Sequence, residues 1–482
     1  MENKELETYG EGSEGKMSKE SQNIRENFQI FGVATFLFAC FYSFCMYKND
    51  AGITYLFLVG AGLYYVKYCG KQFGFAAKKG TLFYIICILL LGISTFCTDD
   101  ARIIFFNKIG VFLLMISMVL YNVFETKNWG LGKYVVTIVQ SVLWSWGEWV
   151  RPFGDAKYYC KNKLGSKGKT ILYAAVSVAV SVPVVAVVLN LLMSADVLFG
   201  DMAERVLESL NLKNIIGVLA LIALVFFAVY GFLSYVVKGE IREDVSGGKR
   251  AEAILAIPMA GILTLLYLVF SVVQIGGLFL GKMTLPKGYT YAIYAMEGFF
   301  QLLAVSIFNL LLVLAGIQFF KKNKILTVLL TLMSLCTFIM IASSAMRMVL
   351  YIKTYQLTFL RILVLWGLML LTILFAGVIT TLYKKEFSLF RYSVVVVTVC
   401  YLGLSFAHPD YWIAKYNVSH QNKVIAMDSG YLRDLSADAA PVLVSYFGMK
   451  EADPQWNTED VVSVRKFNVS RFVAKQLVEK QQ

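Results

Sequence analysis

The chain has 482 residues, of which 58% are hydrophobic, 15% aromatic and only 16% charged, a balance that excludes a soluble enzyme of this size. A formal net charge of +13 would suit a nucleic-acid binder, but the basic residues fall in short loops between apolar runs, so no nucleic-acid partner is expected and the lipid bilayer is the environment. Apolar runs of roughly 20 residues recur along the chain and predict an all-α, polytopic membrane protein.

Residues 1–29 carry seven Glu and almost no large apolar side chain before Ile24, which predicts a disordered cytoplasmic tail. A transmembrane helical domain of about 11 spans is expected over residues 30–407. The first two spans, about Ile30–Tyr47 and Ala51–Val66, form a hairpin around Lys48, Asn49 and Asp50. The third, Gly80–Thr98, and the fourth, Ile103–Phe124, are joined by an acidic turn containing Asp99, Asp100 and Arg102, expected outside. Within the longest loop, the segment Lys133–Phe153 ends in three Trp, which prefer the headgroup level and predict a helix lying on the cytoplasmic surface. A short extra span is the alternative there. The fifth span is Thr170–Met193, kinked at Pro183, and the sixth is Ile215–Val237. The seventh is Ala253–Gly281, followed by an eighth that starts in YTYAIYAMEGFFQLL and ends near Phe320. Spans nine to eleven are Ile325–Met346, Ile362–Tyr383 and Phe390–Ala407. Lys and Arg concentrate in the loops that an inside N-terminus would leave inside, which places the C-terminus outside.

Residues 408–482 differ in composition and predict a small helical extracytosolic unit. His408, Pro409 and Asp410 start a helix, with Pro in the first turn and Asp at the positive end of the dipole. Asp428, Ser436 and Asn468 are candidate N-caps, and Gly448 a C-cap. Trp412, Tyr431, Leu432, Leu443 and Phe447 need burial, so the unit is expected to dock on the membrane domain.

The candidate polar site centres on Arg347, which follows more than twenty uncharged residues; such a residue is costly in hydrocarbon and marks a site. Spans eight and nine run antiparallel about a turn near Asn323, which puts Glu297 and Arg347 within about 3 Å of the same height. Neighbouring helices lie roughly 8–10 Å apart, so the two are expected to pair or to line one pocket at the outer face. Tyr294 and Gln301 extend the polar face and Arg361 lies just beyond; separate snorkelling of Glu297 and Arg347 to the headgroups is the alternative.

The eight Cys show no paired C-x-x-C spacing, so neither a disulfide framework nor a zinc site is read from them. His408, Asp410, His420 and Asp428 are metal-capable, but their spacing fits no zinc pattern and capping accounts for both Asp, so no metal and no cofactor are expected. No nucleophile elbow, P-loop or H-E-x-x-H stands in its required context, and no catalytic residue is assigned.

Tyr291–Leu303, YAIYAMEGFFQLL, and Arg347–Arg361, RMVLYIKTYQLTFLR, with the tail residues Ile413–Asn417, Asp428, Tyr431, Leu435, Ser436, Asp438 and Pro441, resemble the bacterial polytopic membrane proteins of domain-of-unknown-function family 4173, close to family 4153. The resemblance runs from the third span to the end. It singles out Asn417, Asp428 and Asp438, which with Asp410 make a candidate tail motif, and implies a bacterial cytoplasmic membrane. Met296 stands where the family has Arg, and Gln356 where it has Gly.

Three classes of function remain. A regulatory or assembly protein would present the tail to a cell-envelope partner. A transporter would need polar residues converging at mid-membrane, whereas Asn190, Gln274, Asn309 and Gln318 are scattered along the sequence. An enzyme acting on lipid or envelope precursors would need the outer cluster of Glu297, Arg347 and Arg361. The first is favoured, and enzyme activity is not the leading expectation.

Overall fold

The computed structural model describes residues 18–75, 77–126, 129–163, 170, 188, 191–196, 198–202, 212–238, 241, 251–276, 298–384, 386–420, 429–448, 456 and 463–480. Among the described residues the protein is nearly all helical and has no strand; Ala251 and Phe320 make an isolated bridge.

In chain order the helices are α1 (Lys19–Glu26), α2 (Phe28–Met46), α3 (Thr54–Phe73), α4 (Thr81–Cys97), α5 (Ala101–Val123), α6 (Leu131–Trp144), α7 (Arg151–Asn162), α8 (Leu212–Val237), α9 (Ile257–Gln274), α10 (Phe299–Phe319), α11 (Lys324–Tyr355), α12 (Phe359–Tyr383) and α13 (Leu389–Phe406). The tail adds α14 (Pro409–Ser419), α15 (Ser429–Arg433), α16 (Ala440–Phe447) and α17 (Val469–Glu479). Their ends follow local chemistry. Asp100 caps α5 by accepting from Arg102 N at 2.9 Å, and Asn323 caps α11 by accepting from Ile325 N at 2.8 Å. Asn468 caps α17 as expected, whereas the hydroxyl of Ser436 makes no capping bond.

Eight helices among the described residues are long and apolar enough to cross a membrane: α2, α5, α8, α9, α10, α11, α12 and α13. The protein is therefore a multi-pass helical membrane protein. α4 is apolar but only 17 residues long, and the expected fifth span lies almost wholly outside the described residues.

Two differences from expectation bear on function. α11 does not end at Met346 but runs on to Tyr355, 32 residues in all. Arg347 therefore stands about 35 Å from the helix start, beyond the roughly 30 Å of a hydrocarbon core. The segment 133–153 is not one helix but α6, a 3-10 turn at Ser145–Glu148 and the start of α7, which begins with Pro152 in its first turn.

α2, α3, α4 and α5 pack in sequence order, with α8 against α2, around Tyr55, Leu58, Ile88, Leu91 and Leu114. α11 is the axis of a second group, packed by α9, α10 and α12 around Leu330, Met333, Met340 and Val378. α13 joins the groups by packing on both α12 and α4. The ends of α4, α5, α12 and α13 thus come together, and the tail sits on them.

Candidate functional site

α4 ends at Cys97 and α5 starts at Ala101, so the intervening turn places three polar residues, Thr98, Asp99 and Asp100, at one end of the bundle. Arg102 folds back on its own cap residue, with Nε 2.8 Å from Asp100 Oδ1, and its Nη2 reaches Asp410 Oδ1 of α14 at 2.5 Å. The guanidinium lies 3.9 Å from the centre of the Phe359 ring at the start of α12. Asp410 in turn accepts from Ser436 N at 3.0 Å. Its carboxylate therefore bridges elements instead of capping α14, a correction to the capping role expected from sequence.

Asp438 is the second node. It accepts from Thr98 Oγ1 at 2.5 Å and from Asp99 N at 2.9 Å, and it holds His408 Nδ1 at 3.1 Å. Asp99 is the third, accepting from Arg471 Nε at 2.6 Å and from Ala437 N at 3.2 Å. Four carboxylates, two guanidinium groups and one imidazole thus meet where the turn touches the tail, with the carboxylate side chains at most 6% exposed. Buried carboxylates persist only with such partners.

The environments push these groups apart. Burial raises the Asp99 carboxyl to about 6 despite Arg471. Burial and then the charge of Asp100 raise Asp410. Asp438 is driven the other way: burial would raise it, but the hydrogen bond and charge of His408, with the hydroxyls of Ser470 and Thr98, outweigh that and lower it. The hydrogen bond that Asp438 accepts from His408 raises the imidazole against the effect of burial and so favours the imidazolium.

Amide pairing extends the seam on both flanks. Asn417 is buried and treats Leu357 as a strand neighbour would, accepting from its N–H at 2.7 Å and donating to its carbonyl at 2.9 Å. Asn468 donates to Ala51 O at 3.2 Å and Thr98 O at 2.8 Å, tying α17 to both short turns. Ile53 N donates to Phe467 O at 2.9 Å, and Asn49 and Thr54 both donate to Arg465 O at 3.1 Å. A side chain at Gly52 would collide with that same Arg465 carbonyl, so close approach requires glycine there. Beneath these bonds Ile103, Phe359 and Leu404 of the bundle share one apolar cluster with Ile413, Leu432, Leu443 and Trp456 of the tail.

Beside the seam is an open cleft of about 730 Å³, bounded by Cys97 at the end of α4, Phe406 and Ala407 at the end of α13, and the tail residues Tyr411, Trp412, Pro441 and Val473. His408 and Asp438 line it. Trp412, expected to be buried, is 51% exposed at its rim.

The polar site expected around Arg347 is described only in part. Arg347 is buried among α9, α10 and α11, with Nη2 3.5 Å from Gln274 Oε1, and Gly298, at a φ of 112°, leaves room for its guanidinium. Glu297 and Tyr294 lie outside the described residues, as does Asp428, while Gln301 is exposed on α10. Arg361 does not join Arg347. Its Nη1 donates to Tyr355 O at 2.6 Å and to Gln356 O, and the guanidinium stacks 4.4 Å from the Tyr351 ring, so it closes the end of α11. Gln356 occupies φ 69° and ψ 179° at that turn, a conformation that suits glycine, the residue expected there from the family.

The spans also bring together polar residues that are scattered in sequence. Tyr267 OH donates to Asn309 Oδ1 at 2.7 Å, Asn309 Nδ2 donates to Thr337 Oγ1 at 3.0 Å, and Ser343 donates to Gln274 at 2.6 Å. Among the described residues no group of three or more His, Cys, Asp or Glu could hold a metal ion.

Sequence reasoning missed Thr98, Asp99 and Arg102 as partners of the tail, and Arg471 as the tail residue that meets Asp99. The available signal was the meeting of T-D-D-A-R and H-P-D at the same predicted end of two spans.

A family model described as a domain of unknown function (DUF4153) matches residues 85–446. This is the family expected above to be close to family 4173. The match includes Asp99, Arg102, His408, Asp410 and Asp438 and ends before Asn468 and Arg471. No curated protein matches, and no solved structure matches.

Proposed function

The chain belongs to the family described as a domain of unknown function (DUF4153), and on that premise we propose that it is a regulatory or assembly protein of the bacterial cytoplasmic membrane, whose spans hold residues 408–482 against the outer face for a cell-envelope partner. In this reading the chain has eleven spans, with the N-terminus inside. The observation that carries it is the seam itself: Asp410 and Asp438 lock the tail to the turn between α4 and α5 through Arg102, Thr98 and Asp99. A tail fixed to the converging ends of four helices registers any shift among them, which a loosely tethered tail would not.

A transporter reading is favoured by a different observation, the buried network of Tyr267, Asn309 and Thr337 inside the second helix group. The two readings separate in cells. Arg102→Ala, which disturbs the seam, should reproduce the envelope phenotype of a deletion strain while the protein still inserts, and Asn309→Leu should leave that phenotype near wild type. The opposite pattern favours transport. Single cysteines at Ser445 and Ser166, in a background lacking the natural eight, should respectively react and fail to react with an impermeant thiol reagent on intact cells. Reversed labelling sinks the orientation.

A further inference from the structure

We propose that the cleft between the ends of α4 and α13 and the tail is a binding site for an anionic phospholipid, with His408 donating to the headgroup phosphate and Phe406, Trp412 and Val473 contacting its apolar part. The inference rests on the reading that the tail sits at the outer membrane face, and it names one chemical partner for that surface.

Position is the first argument. The cleft is bounded by the last residues of α4 and α13, so it opens at the level where apolar helices end and headgroups begin. Its rim is aromatic and amphipathic in the way that level favours, with Tyr411 and an exposed Trp412. A soluble ligand would not need an apolar rim continuous with the ends of spans.

Charge is the second. His408 has one ring nitrogen held by Asp438, and its other ring nitrogen makes no hydrogen bond among the described residues, while the side chain is 36% exposed. The Asp438 carboxylate is already taken by Thr98, Asp99 N and His408, and Asp99 by Arg471, so each of these acids has its donors within the protein. The hydrogen bond that Asp438 accepts raises His408 and favours the form with a donor at both nitrogens. Lys415 stands behind the rim, its ammonium 5.0 Å from the Trp412 ring and 5.6 Å from the Tyr411 ring. An anionic headgroup would accept from the second ring nitrogen of His408 with Lys415 nearby, and an acyl chain would cover the apolar rim.

The chain has only two histidines, so a His420→Gln variant carries a single imidazole to observe. The full-length variant, labelled with ¹³C-histidine in a neutral detergent, is titrated with dihexanoyl phosphatidylglycerol, dihexanoyl phosphatidylcholine and inorganic phosphate. Amide exchange of α14 and α17 is followed in the same samples. The expected result is a saturable shift of the His408 signal with phosphatidylglycerol, at least tenfold weaker with either other probe. Lys415→Gln should weaken it by about fivefold, and Trp412→Ala should weaken it with exchange of the tail unchanged. No shift with phosphatidylglycerol while the tail stays protected overturns the lipid site and leaves the docked tail standing. An equal shift with phosphatidylcholine or inorganic phosphate overturns the assignment to an anionic lipid. An unprotected tail in the starting protein overturns the docked tail on which both the site and the proposed function rest.

Discussion

Two clusters of charge in this molecule differ in how they are held. Arg347 sits inside a helix group and meets groups on the helices nearest to it, Gln274 of α9 and the space beside Gly298 at the start of α10. The tail seam joins residues more than 300 positions apart, Arg102 to Asp410 and Thr98 to Asp438. The first is a feature of one bundle, whereas the second decides whether two parts of the chain stay together. An isolated charge in an apolar run is conspicuous but locally contained. Modest charges at turns carry the long-range organisation.

The sharpest way to break the comparison is to remove one cation from each. Arg102→Ala leaves Asp100 and Asp410 buried without their partner, which should cost about 3–5 kcal/mol and release the tail. Arg347→Gln should instead loosen α9 to α11 and leave exchange of α14 and α17 unchanged. Tail release by the second variant would erase the distinction. Gly52→Ala should come next, at about 1–3 kcal/mol, because the new methyl group meets the Arg465 backbone and must push the chain entering α17 away. Asn417→Ala removes both bonds to Leu357 and should cost about 1–3 kcal/mol, read as faster exchange confined to α14 and the start of α12.

The seam should also respond to pH. Asp99, raised to about 6 from an ordinary 3.8, binds protons more tightly when docked, so docking weakens as pH rises from about 4 to about 6. Asp410, also raised, acts in the same direction. His408 is raised too, so its contribution is complete below 6.5 and is lost as pH rises through its docked value. Asp438 is lowered, so its contribution is lost only as pH falls below its ordinary 3.8. Tail protection, corrected for intrinsic exchange, should therefore fall steadily from pH 4 to pH 8. Asp99→Asn should flatten the lower part of that curve and His408→Asn the upper. The smallest effect is expected at Gln356, where Gly relieves a strained backbone and should stabilise the turn after α11 by about 1 kcal/mol, with the seam untouched.

Much of the fold was legible because apolar periodicity and length are local. Eight helices among the described residues that are long and apolar enough to cross a membrane stand close to expected spans, and the expected fifth span falls largely outside the described residues. The end of α11 was misjudged because Arg347 looked like a boundary, whereas Ser343, Ser344 and Arg347 are all buried by neighbours and the helix runs on to Tyr355. The tail motif residues Asp410, Asn417 and Asp438 all stand in the seam, but the residues they meet were not read from the sequence. Capping is a local explanation sufficient for any Asp at a helix start, and nothing local distinguishes it from a carboxylate that reaches Arg102. Trp412 misled in the same way: aromatic character predicts burial, yet Trp456 is the tryptophan that fills the core, and Trp412 stands at the rim of the cleft.

The central claim is that the tail is held by the turn between α4 and α5, and amide exchange tests it most directly. In the wild-type protein, amides in α14 and α17 should exchange far more slowly than in an unfolded chain of the same sequence, and in Arg102→Ala the two helices should lose protection together while α9 to α12 keep theirs. Wild-type exchange of α14 and α17 as fast as in the unfolded chain, or their continued protection in a folded Arg102→Ala variant, would contradict the account.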